Sequence, residues 1–367
     1  MTAASRGSTA LATTARPSEV TGRPAPARLT GAQRAALRHV RSVARAGAPP
    51  PGALPPDAAG LLATVRDHAR ITLNFHPDRL LADGRTLAES LAEDGVYRSQ
   101  YETGLSNGSR TAFPGGLRDG WEDALFGGAY HAAGVRPAER PKYGALNLRQ
   151  YPDGAAPRFG SCHVRLRPAV NARATFCHND SHLGPAHLGT ADSFAPVLAA
   201  LLAEQPDAAA LVRTLPHAPA PASPGRSLDA YVEAQVHGPL SLAEDAEALV
   251  LDPSFDGTET GRLLAEVAAR SGTEVEWHTG FALRPHEVDA EFRGPVMVPL
   301  AARICSSYAR RGVLDAEVLG RAAASVVREP AAWAQWGSRD EVLQYVKQLW
   351  HVLVRFGHPA SGGRGNA

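Results

Sequence analysis

Short strand-like segments, separated by loops rich in glycine and proline, occupy residues 71–238 and restrict the possible folds more than any other feature. The first, Ile71–Phe75, should end before Pro77, because proline has no N–H to donate to a neighbouring strand. Further strand patterns cover residues 143–148, 159–166, 174–177, 231–237, 248–251 and 274–277. Alanine-rich helical patterns lie on either side of this region. The sequence therefore predicts an α+β fold, with a mixed, largely antiparallel, cleft-forming sheet and flanking N-terminal and C-terminal helices.

The same patterns predict how the chain is divided. We expect a disordered tail over residues 1–29, N-terminal helices over 30–70, an α+β cleft domain over 71–284, a C-terminal helical region over 285–357, a flexible tail over 358–367 and a proline-rich linker over 216–224. Thr30 should cap the first helix, which should end at Ala46 before Gly47. Segments 159–166 and 174–177 follow each other closely, so we expect them to pair as an antiparallel hairpin.

Composition excludes some classes of protein. The 38 basic and 37 acidic residues nearly cancel, which excludes the uniform positive field of a dedicated nucleic-acid-binding protein. The three cysteines are too few for a disulfide framework and have no CxxC spacing, so a reduced, cytoplasmic setting is expected. No segment has the roughly 18 continuous apolar residues of a membrane span. We therefore expect a protein that does not associate with membranes.

Polar residues at the ends of these segments are candidates for a binding site. Glu233, Gln235 and His237 alternate along one strand and therefore share one face of it. Such a face is either exposed to solvent or, with a carboxylate, an amide and an imidazole together, suited to binding sugar hydroxyls. His76 follows the first strand, where it is either an exposed turn residue or a hydrogen-bond donor or metal ligand at the mouth of a cleft.

Two alternative functions stay open. His178, Asp180 and His182, followed by His187, have spacings that suit zinc or another divalent metal, as in a metal-dependent hydrolase or nuclease. A polar loop in a chain with 14 histidines also produces such a cluster by chance. The aromatic-rich segment from Tyr97 to Trp121 is typical of a lid, a wall or a non-enzymatic binding surface.

Several uncommon motifs resemble those of DUF3626, a bacterial family of uncharacterised proteins. They are Leu73-Asn-Phe-His-Pro-Asp-Arg79, Tyr101-Glu-Thr-Gly-Leu-Ser-Asn-Gly108, Phe126-Gly-Gly-Ala-Tyr-His131, Lys142-Tyr-Gly-Ala-Leu-Asn147, Arg158-Phe-Gly-Ser-Cys162 and Glu233-Ala-Gln-Val-His-Gly238. The resemblance spans residues 30–357. It implies no established activity.

The chain is also similar to the ADP-ribosyltransferase fold. In that fold an early strand ends in His or Arg, a central strand carries Tyr or Ser, and a late strand carries a Glu before a turn. The similarity implies an enzyme that cleaves the nicotinamide–ribose bond of NAD and uses a protein or nucleic-acid acceptor. The residues that it assigns to catalysis are Glu233, His76 and Tyr143, and those that it assigns to NAD binding are Arg79, Ser161, Gln235 and His237.

One feature of the late strand departs from that fold. Many such transferases have Gln/Glu-x-Glu there, with the catalytic acid in the second position. This chain has Glu233-Ala-Gln235, with the acid in the first position. Either the strand register differs or the site does not transfer ADP-ribose.

Overall fold

The computed structural model describes residues 29–105, 112–215 and 227–360, and its centre is one mixed sheet. The described strands are β1 (Ile71–Phe75), β2 (Lys142–Leu146), β3 (Cys162–Leu166), β4 (Ala174–His178), β5 (Leu188–Thr190), β6 (Val232–Val236), β7 (Ala246–Leu251) and β8 (Glu274–Trp277). Their order is β5-β4-β6-β2-β1-β3-β7-β8, and every neighbouring pair is antiparallel apart from β7 and β8. The predicted α+β class with a mixed, largely antiparallel sheet is confirmed.

Helices precede, interrupt and follow the series of strands. They are α1 (Gly31–Ala46), α2 (Ala58–His68), α3 (Leu87–Asp94), α4 (Gln100–Thr103), α5 (Leu117–Phe126), α6 (Ala195–Glu204), α7 (Ala208–Thr214), α8 (Leu242–Asp245), α9 (Glu259–Ser271), α10 (Met297–Tyr308), α11 (Ala316–Arg328) and α12 (Arg339–Phe356). Thr30 and Gln33 form a capping box on α1, which satisfies backbone N–H groups that a helix start leaves without partners. The predicted cap and the predicted end at Ala46 are confirmed.

The central strands β1 and β2 pair over a short length. Their ladder joins Ile71 to Leu146 and Thr72 to Ala145, and it continues no further towards Phe75. Beyond that point a cleft encloses about 560 Å³ of space, part of it open to solvent. It is lined by Phe75 of β1 and by Lys142 and Tyr143 of β2, together with residues 87–105. The cleft therefore lies between residues 87–105 and the neighbouring ends of β1 and β2.

The two faces of the sheet differ in chemistry because side chains alternate along each strand. One face, with residues such as Leu73, Phe75 and Val164, packs into a hydrophobic core that includes residues between Leu61 and Val354. Helices α2, α3, α6 and α9 to α12 contribute to this core. All three predicted regions from 30 to 357 thus contribute to packed cores, while the predicted boundaries between them stay predictions.

The opposite face, called the polar face below, carries Thr72, Tyr143, Thr175, Glu233 and Gln235. The ladders place Thr175, Gln235 and Tyr143 in one cross-strand row. Glu233 lies in the next row, between Ala145 of β2 and Cys177 of β4. Helices α1 and α5 cover part of this face through a small hydrophobic cluster. Polar side chains are therefore enclosed between the sheet and two helices.

The predicted hairpin between segments 159–166 and 174–177 is wrong. A 3₁₀ helix, Pro168–Arg173, carries the chain from β3 to β4. As a result β3 pairs with β1 and β7, whereas β4 pairs with β5 and β6. Alternation and apolar content identify a strand, but a tight turn is needed before neighbouring segments must pair. Cys162 and Cys177 are accordingly on different parts of the sheet, and both are buried thiols.

The predicted linker at 216–224 and most of both predicted tails lie outside the described residues. In the three described ranges, no helix combines the length and apolarity that crossing a membrane requires.

Candidate functional site

Glu233 is a buried carboxylate at the centre of the polar face. Only 6% of the residue is exposed to solvent. Its Oε1 accepts a hydrogen bond from Nε2 of Gln235 at 2.8 Å, and its Oε2 accepts one from the backbone N–H of Ser181 at 3.3 Å. Burial, followed by the negative charge of Asp180, raises the pKa of Glu233 to about 7. The carboxyl group can therefore bind or release a proton near neutral pH.

Helix α5 brings an arginine and a second carboxylate to the same place. The guanidinium carbon of Arg118 lies 4.5 Å from the centre of the Tyr143 ring, and its charge interacts with both Glu233 and Glu122. The hydroxyl of Tyr143 donates a hydrogen bond to Oε1 of Glu122 at 2.8 Å. Burial, followed by the charge of Glu122, raises the pKa of Tyr143 well above its ordinary value, so the phenol stays protonated. Arg118 thus joins the predicted residues Tyr143 and Glu233 in one site.

An ion-pair network fixes this end of α5. Arg140 pairs with Glu122 at 2.8 Å and with Asp119 at 2.7 Å, and all three side chains are less than 10% exposed. His131 also lies 3.1 Å from Asp119. Burial raises the pKa of Glu122, although its bonds to Arg140 and Tyr143 oppose this shift. Good geometry is needed to offset the cost of burying such charges, so the network holds α5 in one position.

The sequence did not reveal the contribution of α5. The segment from Tyr97 to Trp121 was interpreted as a lid, a wall or a binding surface with no helix predicted in it, whereas residues 117–126 are helical. Arg118 and Glu122 are four residues apart, which places both on one side of a helix. That spacing was a usable signal, but the surrounding glycines and aromatic residues concealed it.

Gln235 and His237 form a hydrogen-bonded chain that ends at Glu233. Because Gln235 donates to Glu233, its Oε1 accepts from Thr175 at 2.7 Å. The Thr175 hydroxyl has donated its one hydrogen to Gln235, so it accepts a hydrogen bond from Nε2 of His237 at 3.1 Å. Nδ1 of His237 then has no hydrogen and accepts one from the hydroxyl of Tyr130 at 2.5 Å. All the donors therefore point towards Glu233.

His237 has both ring nitrogens engaged in this chain and is fully buried. Burial lowers its pKa to about 3, so the ring is neutral. Direct contact between His237 and a cofactor would require breaking these bonds. Its position is that of a residue that orients its neighbours.

His76 lies just beyond the end of β1, at some distance from Glu233. Ala145 of β2 pairs with Thr72 on one side and with Glu233 on the other, so Thr72 and Glu233 lie in one cross-strand row. His76 lies four residues beyond Thr72 along the chain. At ~3.3 Å per residue and ~4.8 Å per strand, the Cα atoms of His76 and Glu233 are ~16 Å apart. The ring of His76 packs edge-on against Trp350, with ring centres 5.0 Å apart. His76 therefore does not act on the same atoms as Glu233.

Arg79 and Ser161 are at the His76 end of the sheet. Ser161 immediately precedes β3 and is 2% exposed. Arg79 interacts with the charge of His76 and also with that of Lys347 on α12. Lys347 interacts in turn with Asp180, the acid that raises the pKa of Glu233. Lys347 thus lies between the two ends of the predicted site.

The histidine cluster of the metal alternative does not converge. Nε2 of His178 lies 2.8 Å from Glu204, whereas Nδ1 of His182 lies 2.8 Å from Asp180. Asp180 also accepts a hydrogen bond from Tyr231 at 2.8 Å. Throughout the described part of the chain, no three His, Cys, Asp or Glu side chains are grouped as metal ligands. This geometry gives the metal-dependent alternative no support.

These observations define an α+β protein with a buried carboxyl group on the polar face of its sheet, and the pKa of that group is near neutral. A family model described as "Protein of unknown function (DUF3626)" matches residues 70–220 and 208–356. Since the matched regions cover most of the chain, the protein belongs to the DUF3626 family. No curated protein matches the sequence.

Proposed function

We propose that this protein binds NAD and cleaves its nicotinamide–ribose bond, as an ADP-ribosyltransferase-like enzyme would. The observation that carries the proposal is the position of Glu233, a buried carboxylate beside Arg118 and Tyr143 on the polar face. The similarity to the ADP-ribosyltransferase fold supports the same assignment.

The chemistry requires a negative charge at one position. When the bond between C1′ and the nicotinamide nitrogen breaks, its electron pair leaves with neutral nicotinamide and positive charge develops on the ribose. A carboxylate beside the ribose stabilises this charge most strongly in the transition state, as in glycoside hydrolysis. Water or an acceptor nucleophile then forms a bond to C1′, and its proton is released to a base. Glu233, with a pKa of about 7, suits both roles.

Gln235 accounts for the departure in the late strand. Gln235 occupies the position of the catalytic acid in Gln/Glu-x-Glu, and its amide Nε2 donates a hydrogen bond to Oε1 of Glu233 at 2.8 Å. The chain from Tyr130 through His237 and Thr175 fixes the orientation of that amide. The acid in the first position is therefore held in place by the residue in the second.

The other predicted residues contact different parts of one extended ligand. Tyr143, with Arg118 across its ring, offers an aromatic surface for nicotinamide. A dinucleotide is long enough to reach from Glu233 to His76 and Arg79, whose charged and polar groups suit its phosphates. The roles of Tyr143 and His76 are thus separated along the ligand.

Nicotinamide release tests the proposal directly. Purified full-length protein is incubated with NAD, with and without candidate acceptors, and free nicotinamide is measured by chromatography. We expect release by the wild type and a loss of at least 100-fold in Glu233→Gln, which keeps the shape of the side chain and removes its charge. The matched control is Glu274→Gln, on the exposed edge strand β8. No release by folded wild type, or equal release by Glu233→Gln, would contradict the proposal.

A further inference from the structure

A cluster of positive charge lies where α12 meets the turn before β3 and the end of β1. It consists of Arg158 in the 3₁₀ turn Pro157–Phe159, Arg293 before α10, Lys347 on α12, and Arg79 after β1. We call these four residues the basic cluster. Lys347 interacts electrostatically with each of the other three, and Arg293 interacts with Arg158. Four segments far apart in sequence thus bring their cations together.

Specific contacts fix this arrangement. Nε1 of Trp350 donates a hydrogen bond to the carbonyl of Pro157 at 2.8 Å, which joins α12 to the turn that carries Arg158. Lys347, Trp350 and His351 are spaced three and four residues apart, so they lie on one side of α12. His76 packs against the Trp350 ring. The cluster is therefore part of a packed junction.

The basic cluster has little opposite charge. Arg158 pairs with Asp229, whose side chain is exposed, but neither Arg293 nor Lys347 has an ion pair or a hydrogen bond with any described residue. Asp180, the acid that acts on Lys347, already accepts hydrogen bonds from His182 and Tyr231. Burial, followed by the charges of Arg158 and Arg293, lowers the pKa of Lys347 to about 8. Asp229 and Asp78 act on Arg158 and Arg79, whereas Arg293 and Lys347 have no ion-pair partner among the described residues.

Several polar groups in the junction also lack partners. Both ring nitrogens of His351, which is 3% exposed, have no hydrogen bond, and the same is true of the buried Nε atoms of Arg158 and Arg293. Buried donors without acceptors are costly, and native proteins rarely leave them so. Arg293 also has a φ of 67°, an unfavourable conformation for a residue with a side chain. Strain of this kind is found preferentially at ligand sites.

We propose that the basic cluster, with the His351 imidazole, is a binding subsite for the phosphate oxygens of a nucleotide. An anion with several oxygens supplies the missing counter-charge and accepts from the unpaired N–H groups. Guanidinium groups bind phosphate with two parallel hydrogen bonds, and the ammonium of Lys347 adds a point charge. This proposal rests on the proposed function in one respect: we identify the phosphates as those of the dinucleotide whose ribose lies beside Glu233.

Calorimetry with inorganic pyrophosphate and with ADP tests this subsite in the full chain. We expect both probes to bind to the wild type, and we expect at least a tenfold loss of affinity in Lys347→Gln. Arg293→Gly should lose affinity to a similar extent, and since glycine tolerates the positive φ, this variant should fold at least as well as the wild type. Arg339→Gln, which removes an exposed charge at the start of α12, is the control and should bind normally.

Two outcomes would overturn the inference: no binding of either probe at millimolar concentration, or unchanged affinity in both cluster variants. Glu233→Gln separates this inference from the proposed function. It should bind pyrophosphate as tightly as the wild type. If the wild type releases no nicotinamide but its pyrophosphate binding still depends on Lys347, the subsite stands and the proposed reaction fails.

Discussion

Replacing Glu233 by glutamine should remove a loss of stability that the wild type suffers between pH 5 and pH 8, while it abolishes the proposed activity. The pKa of this carboxyl group is raised from its ordinary value of 4.5 to about 7, mainly by burial. A raised pKa means that the folded protein favours the protonated form of the carboxyl group. Both states are protonated below pH 4.5, so the group then has no effect on stability. As the pH rises from 4.5 to 7 the unfolded chain ionises first, and stability is lost across that window.

The magnitude follows from the size of the shift. A shift of about 2.5 pKa units at ~1.4 kcal/mol per unit corresponds to ~3 kcal/mol when the change is complete. Between pH 5 and pH 8, linkage gives ~2–3 kcal/mol of this difference. Glutamine has nearly the same shape and no charge, so this pH-dependent loss should be absent from Glu233→Gln.

Urea denaturation of the wild type and of Glu233→Gln at pH 5 and pH 8 measures the effect. The free energy of unfolding of the variant, relative to the wild type, should be ~2–3 kcal/mol higher at pH 8 than at pH 5. Any constant cost of repositioning the amide cancels in this comparison. Glu274→Gln should show no such change, because Glu274 is exposed. An equal difference between variant and wild type at both pH values would refute the reasoning.

Three further substitutions test the packing around the site. Arg140→Met removes the guanidinium that pairs with both buried carboxylates, Asp119 and Glu122, and should lower the free energy of unfolding by about 3–5 kcal/mol in urea denaturation; a loss below about 1 kcal/mol would show that solvent reaches them. Tyr143→Phe removes the hydroxyl that donates to Glu122 and should cost about 1–3 kcal/mol by the same measurement, so an unchanged urea midpoint would contradict the bond. Gly160→Ala would place a methyl group 2.1 Å from the backbone of β1 and should prevent folding, as judged by circular dichroism. Gly60→Ala, with open space around it, should be stable, and equal behaviour of the two alanine variants would disprove the close approach.

Local patterns in the sequence predicted the individual elements well. The cap at Thr30, the helix end at Ala46 and the strand Ile71–Phe75 were all expected from residues within or next to each element. Such elements depend on capping, on alternation and on proline or glycine at their ends, all of which act over a few residues. Glu233 and Gln235 were assigned to one strand face for the same reason, and their side chains are hydrogen-bonded to each other.

Contacts between distant segments could not be predicted in this way. Nothing near Cys177 indicates that β4 pairs with β6 rather than with β3. Arg118 and Lys347 reach the site from α5 and α12; the spacing of Arg118 and Glu122 indicates a shared helix side but not that this side faces the sheet. A charged residue on a helix is usually exposed, and only the packing of that helix decides otherwise.

The sequence by itself determined the kinds of element, their order and the chemistry available on each strand face. These properties follow from backbone and side-chain preferences that extend over a few residues. The tertiary structure decided which strands are neighbours, which face is buried beneath α1 and α5, and therefore that the Glu233 carboxyl titrates near neutral pH. The physical reason is that burial and electrostatic interactions depend on distance in space, whereas the patterns in a sequence report distance along the chain.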